Sequence, residues 1–262
     1  MQKPYPACLY QLSLNIMEII KFSNLGQANI PMSPFPEAIW KAWNLYRKTV
    51  LVENFKMKDK EKIRNAILSA ASSLFERFGY EKTSMEEIAE AIHKAKASIY
   101  YHFPSKLDIF REVLRKEMAG VITSQENIIS SNPDPSSQLI AYLKSRMEVI
   151  FSAKVFMHYI MSPYLEGQSE VKEAIEEARK TLDGWEYGYF VDACNKGREA
   201  GILSEAVKPD AFGKTMLVIL KGLEIQFKNY EDKQAMRSTY DALVEVLVTN
   251  NFTNGTTRNR TI

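Results

Sequence analysis

SMEEIAEAIHKAKASIYYHF, residues 84–103, is a chain of apolar positions spaced three and four apart around one interruption. Met85, Ile88, Ala89 and Ile92 make a first inner stripe; Ala95 and Ile99, one turn apart, make a second. That spacing is helical, so the stretch predicts two short helices joined by a tight turn at 92–94. Thr83-x-x-Glu86 and Ser84-x-x-Glu87 both fit a capping box at the start of the first helix, and one of them must be the cap. Small Ala89 and Ala95 let the two helices approach closely. The opposite face of the second helix presents Lys96, Ala97, Ser98, Tyr100 and Tyr101. A cation, two small side chains and two hydroxyl-tipped rings suit phosphates and base edges. Two helices so joined form a helix-turn-helix, whose second helix enters the DNA major groove.

The flanking sequence is helical in both directions. Upstream, Ile63, Ile67, Ala70, Ala71, Leu74, Phe75 and Phe78 give residues 60–78 one apolar face, and Gly79 is the expected stop. Downstream, Pro104 ends the second short helix. Ser105 can cap the next, with Asp108 favouring its dipole, and Leu107, Ile109, Phe110, Val113, Leu114 and Met118 line it. Beyond the loop at Pro133 and Pro135, Leu139, Leu143, Met147, Ile150 and Phe151 form another stripe. A longer helix opens at Gly167–Ser169, passes Leu182, Trp185 and Tyr189, and is expected to end at Gly197 and Gly201. Pro209 fits the first turn of a helix carrying Phe212, Met216, Leu220 and Phe227, and a last helix runs from about 233 to 249. No run alternates with period two long enough for a strand, so the expected fold is all-α.

From Glu61 to about Phe110 the chain resembles the DNA-binding domain of the TetR/AcrR family of transcriptional regulators. The resemblance is carried by Phe75–Tyr80 (F-x-x-x-G-Y), Thr83–Ser84, Ile88–Ala89, Ile99–Phe103 and Pro104–Lys106. Several spaced elements over about 50 residues make a specific match. It implies a helix-turn-helix domain followed by a helical ligand-binding and dimerisation domain. It also implies roles for single residues. Thr83, beside Ser84, would cap the second helix and touch phosphate. Lys96, Ala97 and Ser98 would face the major groove. Tyr100 would bond a phosphate, with Tyr101 and His102 close by, and Lys106 would pair with another phosphate. The family often has Gly-Val-Ser at the turn, where this chain has His93-Lys94-Ala95. Gly adopts positive φ cheaply and His less so; Ala95 removes a capping hydroxyl, worth ~1 kcal/mol; Lys94 must snorkel or face DNA.

The same resemblance implies a homodimer through about 209–249, a palindromic double-stranded operator and a small-molecule effector, with repression the commoner outcome. Ala193–Glu205 resembles the close of the family's seventh helix. Aromatic and methionine residues cluster between Met147 and Cys194. Met147, Phe151, Met157, Tyr159, Trp185 and Tyr189 are the candidates for an apolar effector pocket. A different reading makes the chain a TetR-fold interaction protein that uses DNA as a scaffold for a protein partner.

Composition bounds the rest. The 262 residues carry 34 basic and 32 acidic side chains, a net charge of +2, unevenly spread: residues 119–250 hold 14 basic against 19 acidic. Two cysteines argue against a disulfide framework, and three histidines without H-x-x-x-H spacing against a His-based metal site. No Gly-rich phosphate loop, nucleophile elbow or cofactor motif is present, so neither an enzyme nor a cofactor is expected. No apolar run reaches the ~20 residues of a membrane span, and the N-terminus lacks a signal-peptide pattern, so a cytoplasmic location is expected. Half of the ten prolines lie in residues 1–56, a segment with one short helix, Ile39–Leu51, that reads either as an extra stretch ahead of a natural start at Met57 or as a real, partly disordered arm. The expected domains are 57–118 for DNA and 119–250 for ligand and dimerisation, with a polar tail at 251–262.

Overall fold

The computed structural model describes residues 37–160, 169–229 and 232–251. Expectations about 1–36, Tyr164, the helix opening at Gly167 and the tail after 251 lie outside the described residues. Two compact units divide the chain, residues 1–60 and 61–262. The described elements are α1 (Glu37–Lys82), α2 (Met85–Ala91), α3 (Lys96–His102), α4 (Lys106–Ser130), α5 (Pro135–Phe151), α6 (Lys154–Ile160), α7 (Ser169–Glu199), α8 (Pro209–Asn229) and α9 (Lys233–Asn251). All are helical, as the spacing of apolar residues requires.

Two boundaries differ from expectation, at 39–51 and at Gly197, and one, at Gly79, agrees with it. The short helix at 39–51 is not separate: helix runs from Glu37 through residues 52–59, VENFKMKD, which contain no Gly or Pro to break it. Helical geometry fails at Gly79 (φ 80°, ψ 166°), the expected stop. Gly197 does not end α7 but lies buried inside it; the chain leaves the helix at Gly201 (φ 68°), with the Ile202 N–H returning to the Gly197 carbonyl at 2.9 Å. The caps at the other breaks follow the sequence. Ser105 accepts from the Asp108 N–H, and Asp134 accepts from Ser136 and Ser137 with Pro135 in the first turn.

Two hydrophobic clusters hold the described residues after 60 together. The first joins Ile67 and Phe75 of α1, Ile88 of α2, Ile99 of α3 and Phe110 of α4 to Val155 and Phe156 of α6 and Leu182 of α7. The second joins Leu143 of α5, Phe190 and Cys194 of α7, Leu220 of α8, and Tyr240 and Val244 of α9. Phe151 and Trp185 pack against both. α4 runs unbroken past residue 118, so one helix serves the helix-turn-helix and the body behind it. From α4, the Glu117 carboxylate accepts the Val155 and Phe156 amides at 3.0 and 2.8 Å and so caps α6. Burial pushes the Glu117 carboxyl above its usual range, partly offset by those amides.

The second cluster encloses a charge network that apolar patterning did not anticipate. Arg146 lies fully buried, its Nε 2.8 Å from Glu186 and its Nη1 2.5 Å from Glu224. Tyr142 donates to Glu186 at 2.6 Å, and Arg179 completes the set on Glu224. Two guanidiniums against two carboxylates leave the network neutral, which is what makes its burial tolerable.

Candidate nucleic-acid interface

Local sequence sets the first helix of the pair. Ser84, not Thr83, is the cap: its Oγ accepts the Glu87 N–H at 3.2 Å, while the Glu87 carboxylate accepts the Ser84 N–H at 2.7 Å. Thr83 is instead 2% exposed, and its hydroxyl donates to the Gly79 carbonyl at 2.8 Å. The expected capping by Thr83 is therefore corrected. Its hydroxyl fastens the end of α1. The register decides this, because Ser84 immediately precedes Met85, the first helical residue.

The turn closes by backbone geometry. His93 takes φ 53°, the left-handed conformation that glycine usually supplies. The His93 N–H bonds the Glu90 carbonyl at 3.0 Å and the Lys94 N–H bonds that of Ala89 at 2.9 Å, a Schellman motif built without glycine. Lys94 is exposed. Ala95 caps α3 with no side-chain hydrogen bond, as expected. It is exposed rather than inward, so the contact between α2 and α3 rests on Met85, Ile88, Ala89 and Ile99.

At ~100° per residue, burial of Ile99 in α3 and of Phe103 just beyond it turns Ala97 and Tyr101 straight outward. Tyr101 is 73% exposed. Lys96 and Tyr100 form one flank: the Lys96 ammonium pairs with Glu86 of α2 and lies 5.7 Å from the Tyr100 ring centroid. That hydrogen bond holds the Glu86 carboxyl below its usual range. Ser98 and His102, half-buried, form the other flank.

The carboxyl end of α3 is held by Arg64 of α1, a residue that sequence reading missed. Its guanidinium donates to the His102 carbonyl at 3.4 Å, covers the Phe103 ring at 4.1 Å and meets Glu112 of α4 at 3.4 Å. Lys106 is also engaged. Its ammonium donates to the Tyr80 and Thr83 carbonyls at 2.7 and 2.9 Å and sits 4.1 Å from the Tyr80 ring centroid. Desolvation pushes its pKa down, weakly opposed by Glu81 and Glu87. An ammonium has three donors, so two of those on Lys106 serve the fold.

Tyr80 connects this domain to α6, since its N–H donates to the Tyr159 hydroxyl. The candidate pocket residues are accordingly not one set. Tyr159 and Met157 belong to the first cluster, and Tyr159 packs edge-on against Phe110 at 5.3 Å. Met147 is buried in the second. Trp185 and Tyr189 do lie together, stacked with an 8° interplanar angle, and Phe151 is half-buried at the junction. Trp185 donates to Glu126 of α4 at 3.3 Å. Two buried polar atoms on α4 and α7 have no hydrogen-bond partner, the Gln125 side-chain nitrogen and the Tyr189 hydroxyl. Burial pushes the Tyr189 hydroxyl far above its usual pKa.

The profile of the bacterial regulatory proteins, tetR family, matches residues 67–113. The chain is 28% identical over 151 residues to the HTH-type transcriptional repressor KstR2 of Rhodococcus jostii, covering 57% of this chain and 67% of that one. Over 130 residues it is 28% identical to the HTH-type transcriptional regulator RutR of Escherichia coli K12, covering 47% and 61%. The matched region thus spans about two thirds of the length of these relatives. Among solved structures, the transcriptional regulator FadR of Bacillus subtilis in complex with stearoyl-CoA is similar in fold, with a TM-score of 0.55 and 16% identity over 70% of this chain and 97% of that one.

Proposed function

We propose, from the premise that the chain belongs to the TetR family of bacterial regulatory proteins, that it is a dimeric, operator-binding repressor released by a small effector. One observation carries the DNA-binding half of this reading. α3 is braced at its start by α2 and at its end by Arg64, and it turns a stripe of contact residues outward. Such a helix fits the major groove. Lys96, Ala97, Ser98, Tyr100, Tyr101 and His102 are the proposed contacts to bases and adjacent backbone, and Lys106 offers a phosphate its third donor. Selection of bound duplexes from a random pool by the full-length protein tests it. A two-fold symmetric motif with half-sites about one helical turn, ~34 Å, or a multiple apart is expected. Affinity should fall with salt at a slope of about −0.9 per phosphate contacted. An unenriched pool would overturn the reading, and scattered sites without symmetry would favour a scaffold role.

Dimerisation is proposed through α8 and α9, which expose Val218, Ile225, Leu243 and Val246. Apolar patches of this kind are usually covered by a partner, and a symmetric operator requires two copies.

For the effector, the stacked pair Trp185 and Tyr189 are the favoured contacts. The unpartnered Tyr189 hydroxyl supports a largely apolar molecule carrying a hydrogen-bonding group, because buried polar groups ordinarily have partners. Trp185 bonds α4, the helix that also carries Lys106, so a ligand displacing Trp185 would act on α4 and lower DNA affinity. In a Trp40→Phe, Trp43→Phe background, a compound that releases DNA should change Trp185 emission; release with unchanged emission would remove this pocket.

A further inference from the structure

We infer that Ala97 reads a thymine, so that each half-site of the bound DNA carries one thymine whose C5-methyl group packs against the Ala97 Cβ. The inference rests on the DNA-binding reading of α3 and deepens it by naming a base. Ala97 and Tyr101 are the residues that the burial of Ile99 and Phe103 aims most directly away from the protein. Ala97 lies in the first turn of α3, the end of such a helix that approaches base edges. Its side chain is a single methyl group, without donor or acceptor.

The chemistry of the groove then discriminates. Guanine offers two acceptors there, cytosine a donor, and adenine one of each; thymine alone adds a methyl group. A guanine, cytosine or adenine edge covered by Ala97 would lose water and find no partner, which is unfavourable. A thymine methyl would lose only apolar hydration. Its neighbours do not compensate for another base. The sequence of α3, KASIYYH, holds no Arg, Asn or Gln for a two-pronged contact with a purine, and its one lysine, Lys96, is paired with Glu86.

The test uses the full-length protein and a duplex selected from a random pool. Each thymine is replaced in turn by deoxyuridine, which removes only the methyl group. One thymine per half-site should be sensitive, its replacement raising Kd about fourfold. Ala97→Gly should bind the thymine and deoxyuridine duplexes equally at that position while remaining sensitive to changes elsewhere. If the glycine loosens α3, Ala97→Ser serves instead, because its hydroxyl should abolish the same discrimination within a helix. Half-sites in which no deoxyuridine weakens binding, or a sensitivity that survives both substitutions, would overturn the inference. A pool from which no duplex is enriched would instead refute the DNA-binding reading beneath it.

Discussion

His93 holds a backbone conformation that glycine adopts without a Cβ clash. A left-handed residue with a side chain is disfavoured by about 1–2 kcal/mol, and glycine gives back part of that by its greater freedom when unfolded. His93→Gly is therefore expected to stabilise the protein by about 0.5–1 kcal/mol, read as an increase in the urea midpoint; a decrease would show that the imidazole itself contributes. The strain was legible in the sequence, because a tight turn needs positive φ where no Gly stands. The cap was half-legible: adjacent Thr83 and Ser84 both fit, and only the register of α2 chose between them.

At the level of elements, the buried charges are the main surprise. Arg146 follows Leu139 and Leu143 in the stripe of α5, Glu186 lies between Leu182 and Phe190 in α7, and Glu224 between Leu220 and Phe227 in α8. Each is at three- or four-residue spacing from buried apolar neighbours, so each was marked as inward by position. Reading charge as a solvated face hid them, since only three helices brought together show the pairing. Burial alone would raise the Glu224 carboxyl, but the hydrogen bonds and charges of Arg179 and Arg146 outweigh it and hold it below its ordinary 4.5. A carboxyl held low in the fold contributes stability above its unfolded value and loses that contribution as pH falls through the folded one. Glu224→Gln should cost about 3–5 kcal/mol at neutral pH by leaving arginine charge underpaired. It should also flatten the fall in urea midpoint as pH drops below 4.5. An unchanged acid limb would show that other carboxylates govern it.

For the whole molecule, helical spacing gave the all-α architecture and the order of helices within residues 61–262, while the division of labour among aromatics emerged only in three dimensions. Tyr159 is a pocket candidate by composition; in the fold its hydroxyl accepts the Tyr80 N–H and ties α6 to the end of α1. No helix among the described residues is long and apolar enough to cross a membrane. The dimer surface proposed on α8 and α9 includes Val218, 72% exposed, and Val246. Val218→Glu combined with Val246→Glu should yield a folded monomer by light scattering and weaken binding to a two-half-site duplex far more than to a single half-site. A double variant that stays dimeric would move the interface elsewhere.

In the proposed complex the outward stripe of α3 carries the sequence preference. Fluorescence anisotropy at one fixed salt concentration, comparing a selected duplex with a scrambled one, measures this for the wild type and Tyr101→Ala. The wild type should prefer the selected duplex by about 10³ or more. Tyr101→Ala should lose most of that ratio while binding the scrambled duplex as before. Equal affinities for both duplexes in the wild type, or an undiminished ratio in the variant, would contradict the account.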